Sequence, residues 1–229
     1  MDPDYDIVVS HHPRRRGPYK RTSYEGRHRF GAIKKRKVMP RVIRRGSSSR
    51  VEFKAVDTSV NIACDTTGAV ALLNGIARGD DINERVGRRV VLRSIEMRVQ
   101  SVVTATTGVD QNHRVLIVYD RQTNATALTV ADVLTAVDIN SPRNLTNRSR
   151  FKIIYDSLHH LNASGESGAH KVLDWYKPLW LPVTFNSGDA GTVADIQTGS
   201  LYLVVVGNRS AGADAGAVGG RFRVRYTDE

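Results

Sequence analysis

"RRVVLRSIEMRVQSVVT" (residues 88–104) alternates apolar and polar side chains with a period of two. Successive side chains of a β-strand point to opposite faces of its sheet, so this pattern predicts a long strand with one buried and one exposed face. Arg93 is the one misfit on the apolar face. The apolar face comprises Val91, Ile95, Met97, Val99 and Val103, and the polar face comprises Ser94, Glu96, Arg98 and Gln100.

Similar runs of β-branched and aromatic residues recur along the chain between clusters of Gly, Asn, Asp and Ser, and they predict further strands. The run "HRVLIVYD" is apolar throughout, which is typical of a central strand covered on both sides. The single cysteine, Cys64, is expected to be a buried apolar residue of a strand. The Gly/Ala-rich segment 210–220 is predicted to be a loop outside the core. The predicted strands lie at 51–63, 113–120, 148–161, 169–180, 181–185, 199–208 and 219–226.

One segment departs from this strand pattern. Residues 126–137, "TALTVADVLTAV", place apolar side chains at helical spacing after a Thr-rich stretch that can cap a helix. About eight short strands with one inserted helix predict an all-β fold. We expect a single eight-stranded jelly-roll sandwich with one short helix and a basic N-terminal arm, although the pattern alone leaves an immunoglobulin-like sandwich open.

The charge of the chain is concentrated in its first 50 residues. They hold 15 Lys and Arg against 4 Asp and Glu, which equals the net charge of +11 of the whole chain. Residues 51–229 therefore carry 34 − 15 = 19 basic and 23 − 4 = 19 acidic side chains. The N-terminal segment contains no Leu and is predicted to be disordered when alone. We expect two regions, a basic arm at 1–50 and a neutral jelly-roll domain at 51–229.

The composition of the arm is typical of binding to single-stranded nucleic acid. Arginine pairs with phosphate through a bidentate fork, and an aromatic ring offers a stacking face to an unpaired base. A solvated solubility tail is the plainer alternative. The run Lys34, Lys35, Arg36 and Lys37 also matches a nuclear localisation patch. The cations assigned to binding are Arg14, Arg15, Arg16, Lys20, Arg21, Arg27, Arg29, Lys34, Lys35, Arg36, Lys37, Arg41, Arg44 and Arg45, and the aromatic residues are Tyr19, Tyr24 and Phe30.

Beyond the arm, other chemical signals are weak. Arg221, Arg223 and Arg225 alternate with apolar residues and fall on one face of the last strand, either as a phosphate-facing row or as an ordinary polar surface. The cluster of Asp156, His159 and His160 has no evident third ligand or nucleophile. No phosphate loop or nucleophile elbow is present, and no apolar run reaches the roughly 20 residues that span a bilayer. We expect no enzyme activity, no cofactor, no metal site and no membrane partner.

Between about residues 30 and 165 the chain resembles the capsid proteins of small circular Rep-encoding single-stranded DNA viruses (CRESS-DNA viruses), the group that includes geminiviruses and genomoviruses. The similar segments, in chain order, are "KKRK" (34–37), "RVGRRVVLRSIEMRV" (85–99), "RVLIVYDRQTN" (114–124), "VADVL" (130–134) and "NRSRFKIIYDSLHHL" (147–161).

This resemblance implies a viral capsid protein whose copies form a closed icosahedral T=1 shell of about sixty subunits. It implies that the arm binds the single-stranded DNA genome and that Lys34 to Lys37 bind a host nuclear import receptor. The protein would then be found in the virion and in the host nucleus. Two alternatives remain open: the coat protein of a small RNA virus or satellite, and a host nucleic-acid-binding protein such as a ribosomal or chromatin component.

Overall fold

The computed structural model describes residues 52–103, 109–163, 169–212 and 215–229. Within these ranges it contains nine strands, one α-helical turn and one 3₁₀ turn at Val193–Asp195. None of the described helices is long and apolar enough to cross a membrane. The elements are β1 Lys54–Cys64, β2 Ala69–Leu72, β3 Arg89–Val102, β4 Gln111–Asp120, α1 Val130–Val133, β5 Phe151–Leu161, β6 His170–Phe185, β7 Ile196–Thr198, β8 Ser200–Gly207 and β9 Gly216–Asp228.

The strands form two antiparallel sheets, with the order β1-β9-β3-β6-β7 in one and β2-β8-β4-β5 in the other. Apart from the three-residue β7, each sheet has four strands, and the chain crosses between the sheets so that the first strand pairs with the last. This order defines a jelly roll, which confirms the predicted fold class and excludes the immunoglobulin-like alternative.

The main hydrophobic core lies between the two sheets, and β3 contributes the inward-facing row Val90, Leu92, Ile95, Met97 and Val99. The row changes from even to odd numbers because the register shifts between Leu92 and Ser94. Arg93 is the extra residue of this β-bulge, which explains its misfit in the alternating pattern. The predicted inward position of Val91 was wrong, since the bulge reverses the faces on its N-terminal side.

The four-stranded sheet is covered on both faces, as predicted for "HRVLIVYD". Val115 and Ile117 of β4 face the main core, whereas Leu116 and Val118 pack in a second cluster with α1. The helix is shorter than expected, because the 126–137 pattern yields only Val130–Val133. The remaining apolar residues of that segment, such as Leu128 and Leu134, are buried without helical backbone.

The same tetrapeptide, Thr-Val-Ala-Asp, begins both helical turns. At 129–132 the backbone N–H of Thr129 donates to the carboxylate of Asp132 at 2.8 Å, and at 192–195 that of Thr192 donates to Asp195 at 2.8 Å. Each Asp also satisfies the hydroxyl of its Thr. A Thr with an acid three residues later is therefore enough to start a turn at both places, and tertiary packing decides how far it continues.

The separate strands predicted at 169–180 and 181–185 are one continuous strand, β6. Proline weakens a strand prediction because it lacks an N–H group, but an edge strand tolerates it. On one side β6 pairs with β3, and on the other it pairs with β7 only at Thr184 and Phe185. Pro178 and Pro182 lie in the part of β6 that has no second neighbouring strand among the residues the structure describes.

The predicted loop at 210–220 was also wrong for its second half, because β9 begins at Gly216 and the side chain of Val218 is fully buried. Small residues are needed here, since a Cβ atom at Gly216 would lie 2.4 Å from the imidazole of His113. The short strands β2 and β7 were not predicted. Cys64 is fully buried at the end of β1, as expected, and burial raises the pKa of its thiol to about 12.

Candidate nucleic-acid and assembly surfaces

The five-stranded sheet has one side on the core and one side exposed along β1, β9, β3 and β6, which we call the open face. Strand register sets its side chains in rows that run across four strands. Because side chains alternate along a strand, the polar residues of β3 and β9 lie on the open face. The bulge at Arg93 sets the register in which the residues of β3 after Leu92 pair with those of β9. Two neighbouring rows lie at the centre of the open face. The first row consists of Asp57, Arg223, Glu96 and Tyr176, and the second consists of Ser59, Arg221, Arg98 and Asp174.

Most charges of the open face are paired with one another. Arg223 binds both carboxylate oxygens of Asp57, at 2.7 and 2.6 Å, and this hydrogen bonding lowers the pKa of Asp57 despite its partial burial. Glu96 lies between two arginines, at 3.1 Å from Arg225 and 3.0 Å from Arg98. The predicted placement of Arg223 and Arg225 on one face is confirmed, and both arginines already have a protein carboxylate.

Arg221 differs from its neighbours. It lies directly opposite Arg98 in the β3–β9 register, and among the described residues it has no ion-pair partner. Arg98 is 70% exposed, and its second carboxylate, Asp174, is 3.8 Å away. Arg98 and Arg221 line one depression of the open face, together with Asp57, Glu96 and Arg223.

A second unusual surface is the exposed row on β6, formed by Val172, Tyr176 and Trp180. Trp180 is 76% exposed although it is the largest apolar side chain of the row. Arg93 lies over its ring at 3.9 Å from the centroid and donates from Nε to the hydroxyl of Thr227 at 2.9 Å. The bulge residue Arg93 thus contacts an exposed indole ring on β6, a strand that pairs on its outer side only with β7 among the described residues.

The four-stranded sheet carries a different kind of charge pair. Arg114 of β4 binds both oxygens of Asp156 on β5, at 2.9 and 3.0 Å, and Arg143 adds a third contact at 3.3 Å. Burial favours the neutral carboxyl, but these arginines outweigh it and lower the pKa of Asp156. Asp120 is fully buried and binds Arg150 at 2.9 and 2.7 Å.

Arg85, the first arginine of the RVGRR segment that supported the resemblance, has a structural role. Arg85 is fully buried, lies 4.2 Å from the ring centroid of Phe185, and donates to the carbonyls of Gly87 and Gly188. Its burial lowers the pKa of the guanidinium group. Arg85 therefore fixes the connection into β3, and its buried contacts give this arginine of the motif a structural role.

Two buried histidines face each other across β4 and β5. His113 contacts the hydroxyl of Ser101 at 2.6 Å and Gln111 at 3.0 Å, whereas both ring nitrogens of the opposed His159 lack a hydrogen-bond partner within the described structure. Burial, with a smaller contribution from His159, lowers the pKa of His113 to about 4. Burial also lowers the pKa of His159.

The predicted cluster of Asp156, His159 and His160 is not brought together around a ligand. Asp156 is paired with arginines, His159 is buried, and His160 is exposed and contacts Asn112 at 2.8 Å. Over the described ranges, no group of three or more metal-ligating side chains is placed to hold a cation.

The predicted nucleic-acid-binding residues from Arg14 to Arg45, with Tyr19, Tyr24 and Phe30, lie outside the described residues, as does the patch Lys34 to Lys37. Sequence reasoning placed Arg98 and Arg221 correctly on exposed faces of their strands. It did not find that they oppose each other, because their register joins residues more than a hundred positions apart.

Comparison with known proteins identifies the class. A family model described as satellite tobacco necrosis virus coat protein matches residues 27–229, which is most of the chain. With the jelly roll, this match defines a viral capsid protein. The chain belongs to the satellite tobacco necrosis virus coat protein family.

Two relatives agree with this assignment. The capsid protein of Satellite tobacco necrosis virus 1 is 28% identical over 176 residues, which cover 75% of this chain and 86% of the relative. The coat protein of Maize white line mosaic Satellite virus is 29% identical over 111 residues, or 48% of each protein.

Similar solved structures include Desmodium yellow mottle tymovirus, at 9% identity and a TM-score of 0.32 over 76% of this chain and 88% of that chain. The VP1 pentamer of human polyomavirus 6 is similar at 11% identity and a TM-score of 0.24, over 78% of this chain and 95% of that chain. Both scores are too low to carry an argument, so the fold assignment rests on the strand order.

The family match corrects the resemblance to CRESS-DNA virus capsids. The prediction of a viral capsid protein is confirmed, but the virus group was wrong, and the match favours the satellite-coat alternative. The single-stranded DNA genome rested on that resemblance, and the nuclear import receptor rested on it together with the basic pattern of Lys34 to Lys37. Neither partner is supported by the comparisons.

Proposed function

We propose that this protein is the coat protein of a satellite virus, which self-assembles into a closed shell and packages single-stranded RNA through its basic N-terminal segment. The observation that carries the proposal is the family match over residues 27–229. Membership of a coat protein family supports a structural rather than a catalytic protein, with copies of itself as the main partner and the virion as its location.

The separation of charge supports a division of work within the chain. Residues 51–229 have equal numbers of acidic and basic side chains, so many copies can pack without mutual repulsion. Residues 1–50 carry the whole net charge of +11. In a shell of about sixty subunits, such arms neutralise roughly 660 phosphates, and counterions balance the remainder of a longer genome.

The exposed β6 surface supports assembly. Val172, Tyr176 and Trp180 are each more than half exposed in the single subunit, at 61, 58 and 76%. Aromatic residues are more frequent at protein–protein interfaces than on the rest of the protein surface. The proposal assigns this row to a contact between copies of the chain.

Deletion of residues 1–45 tests the packaging role. The truncated chain keeps the whole described jelly roll, so we expect it to fold and to lose the packaged nucleic acid, measured as the ratio of absorbance at 260 and 280 nm of purified particles. Packaging equal to that of the full chain would show that the arm does not bind the genome.

A matched variant separates charge from stacking. Replacing Tyr19, Tyr24 and Phe30 with Leu keeps every arm cation, so bulk packaging by charge neutralisation is expected to persist, while binding of a short single-stranded oligonucleotide weakens because base stacking is lost. Unchanged oligonucleotide binding in this variant would remove the aromatic residues from the binding function.

A further inference from the structure

The opposition of Arg98 and Arg221 is unfavourable in the isolated subunit. Directly opposed residues of an antiparallel pair have Cβ atoms about 5 Å apart, and like charges at such positions destabilise the sheet. Arg223 pairs with Asp57, and Glu96 pairs with both Arg225 and Arg98, whereas Arg221 has no ion-pair partner among the described residues. A local conflict in an otherwise consistent structure is a mark of a functional site.

The surroundings of this pair favour an anion. Residues 51–229 are neutral in total, yet outward-pointing arginines outnumber carboxylates on the open face, so the positive excess is local. Glu96 is shared between two arginines, and Asp174 is at 3.8 Å and 68% exposed. The charged side chains of the open face are Arg93, Arg98, Arg221, Arg223 and Arg225 against Asp57, Glu96 and Asp174.

The shape beside the pair also fits an extended polymer. A shallow depression next to Arg98 is lined by Gln100, Val172, Gly219 and Gly220. Gly219 lies opposite Gln100 in the β3–β9 register, on the exposed side of the sheet. Because glycine has no side chain, the floor is open at Gly219 for the close approach of a sugar–phosphate backbone, and Gln100 adds hydrogen-bonding groups.

We infer that Arg98 and Arg221 bind a backbone phosphate of the packaged single-stranded RNA, so that the open face is a genome-facing wall of the shell. The inference rests on the proposed packaging function and deepens it. Two planar guanidinium forks match the oxygens of one phosphate, and the phosphate relieves their mutual repulsion.

The test uses the full-length chain with Arg98→Gln, Arg221→Gln and the double variant. Arg148→Gln is the matched control, because Arg148 is exposed and lies outside the open face, in the connection between β4 and β5. Binding of a 20-nucleotide oligouridylate to dissociated subunits is measured as a function of salt concentration. The slope of log K against log salt concentration is expected to fall in magnitude by roughly 0.7 in the double variant, because one phosphate contact is removed. The affinity at low salt is expected to fall roughly tenfold. The control should keep the wild-type slope.

The urea midpoint of the same variants tests whether the arginine pair stabilises the fold, because loss of a stabilising pair would lower it. Arg221→Gln is expected to keep or raise the urea midpoint, because it removes a repulsive pair. A lower midpoint with an unchanged salt slope would overturn the inference and make the pair structural. Loss of particles with unchanged oligouridylate binding would instead place the pair at a contact between copies and also overturn it. Wild-type particles without any nucleic acid would refute the packaging function itself. If the wild type packages nucleic acid but the double variant binds oligouridylate with the wild-type affinity and salt slope, only the phosphate site is refuted.

Discussion

The two sheets use arginine in opposite ways. On the four-stranded sheet, Arg114 and Arg150 each bind both oxygens of one carboxylate that is largely or fully buried. On the open face of the five-stranded sheet, Arg98 and Arg221 are exposed and directly opposed in the register. Arg98 shares Glu96 with Arg225, and Arg221 has no ion-pair partner among the described residues. The difference separates charges that complete the fold from charges that are left available to a partner.

The largest expected effect comes from breaking a buried pair. Asp120→Asn keeps the size of the side chain but leaves Arg150 without its charged partner, so we expect a loss of about 3 kcal/mol in the free energy of unfolding, measured by urea denaturation of dissociated subunits. Asp174→Asn removes a contact of 3.8 Å with the exposed Arg98 and is the control, with an expected change below about 0.5 kcal/mol. Equal losses in the two variants would contradict the contrast between the sheets.

Acid sensitivity is expected to come from the buried histidines of the four-stranded sheet. The folded-state pKa of His113 is about 4, against an ordinary value of 6.5. Its unfolded form therefore binds a proton first, so stability is complete above about pH 6.5 and falls by roughly 3 kcal/mol as the pH decreases to about 4. The lowered pKa of His159 adds in the same direction, whereas the carboxylates with lowered pKa values, Asp57 and Asp156, act below pH 4.

The measurement for this prediction is the urea midpoint between pH 7 and pH 4.5 for the wild type and for His113→Gln. Ser101, Gln111 and His159 surround the imidazole, and a neutral Gln cannot take up the proton in the unfolded state. The variant should lose most of the pH dependence in this range even if its stability at pH 7 is lower. An unchanged slope would assign the acid response to other groups.

A smaller effect on the free subunit is expected for Trp180→Ala. Because the ring is 76% exposed and Arg93 lies over it at 3.9 Å from the centroid, its removal should cost about 1 kcal/mol in subunit stability. Particle formation should suffer more, seen as a higher protein concentration needed for assembly in light scattering. Tyr155→Ala is the control, because it also replaces an aromatic side chain with Ala but removes a contact within the subunit, where the ring lies 5.0 Å from that of Trp175. Normal assembly of the Trp180 variant would remove the β6 row from the shell contacts.

The smallest effect compares two neighbouring arginines of β9. Arg223→Gln breaks the bidentate pair with Asp57 and should lower the melting temperature slightly, whereas Arg221→Gln should not lower it. A differential scanning experiment on both variants measures the sign. A larger loss for Arg221 than for Arg223 would mean that the charges of the open face are arranged for stability.

The parts of the fold that follow from local pattern could be predicted from the sequence. The alternation around Ile95 and Met97, the apolar run of β4 and the burial of Cys64 depend on neighbouring residues alone. The bulge at Arg93 could not be predicted, because it exists only relative to β9, more than a hundred residues further along the chain. Val218 was missed for a related reason, since small residues around it are required by the close approach of His113 and β3.

The virus group was harder to predict than the fold. A basic arm followed by amphipathic strands serves any shell that encloses a nucleic acid, since phosphate is common to DNA and RNA. The RVGRR segment that supported the resemblance contains Arg85, whose buried contacts to backbone carbonyls serve the jelly roll and carry no information about cargo. Arg98 and Arg221 could be placed on faces, but their opposition required the observed register.

The identity of the packaged polymer tests the central claim most directly. Nucleic acid extracted from purified particles of the full-length chain should be single-stranded, degraded by ribonuclease and resistant to deoxyribonuclease. Cargo that resists ribonuclease and is degraded by deoxyribonuclease, or particles that form without nucleic acid, would contradict the account.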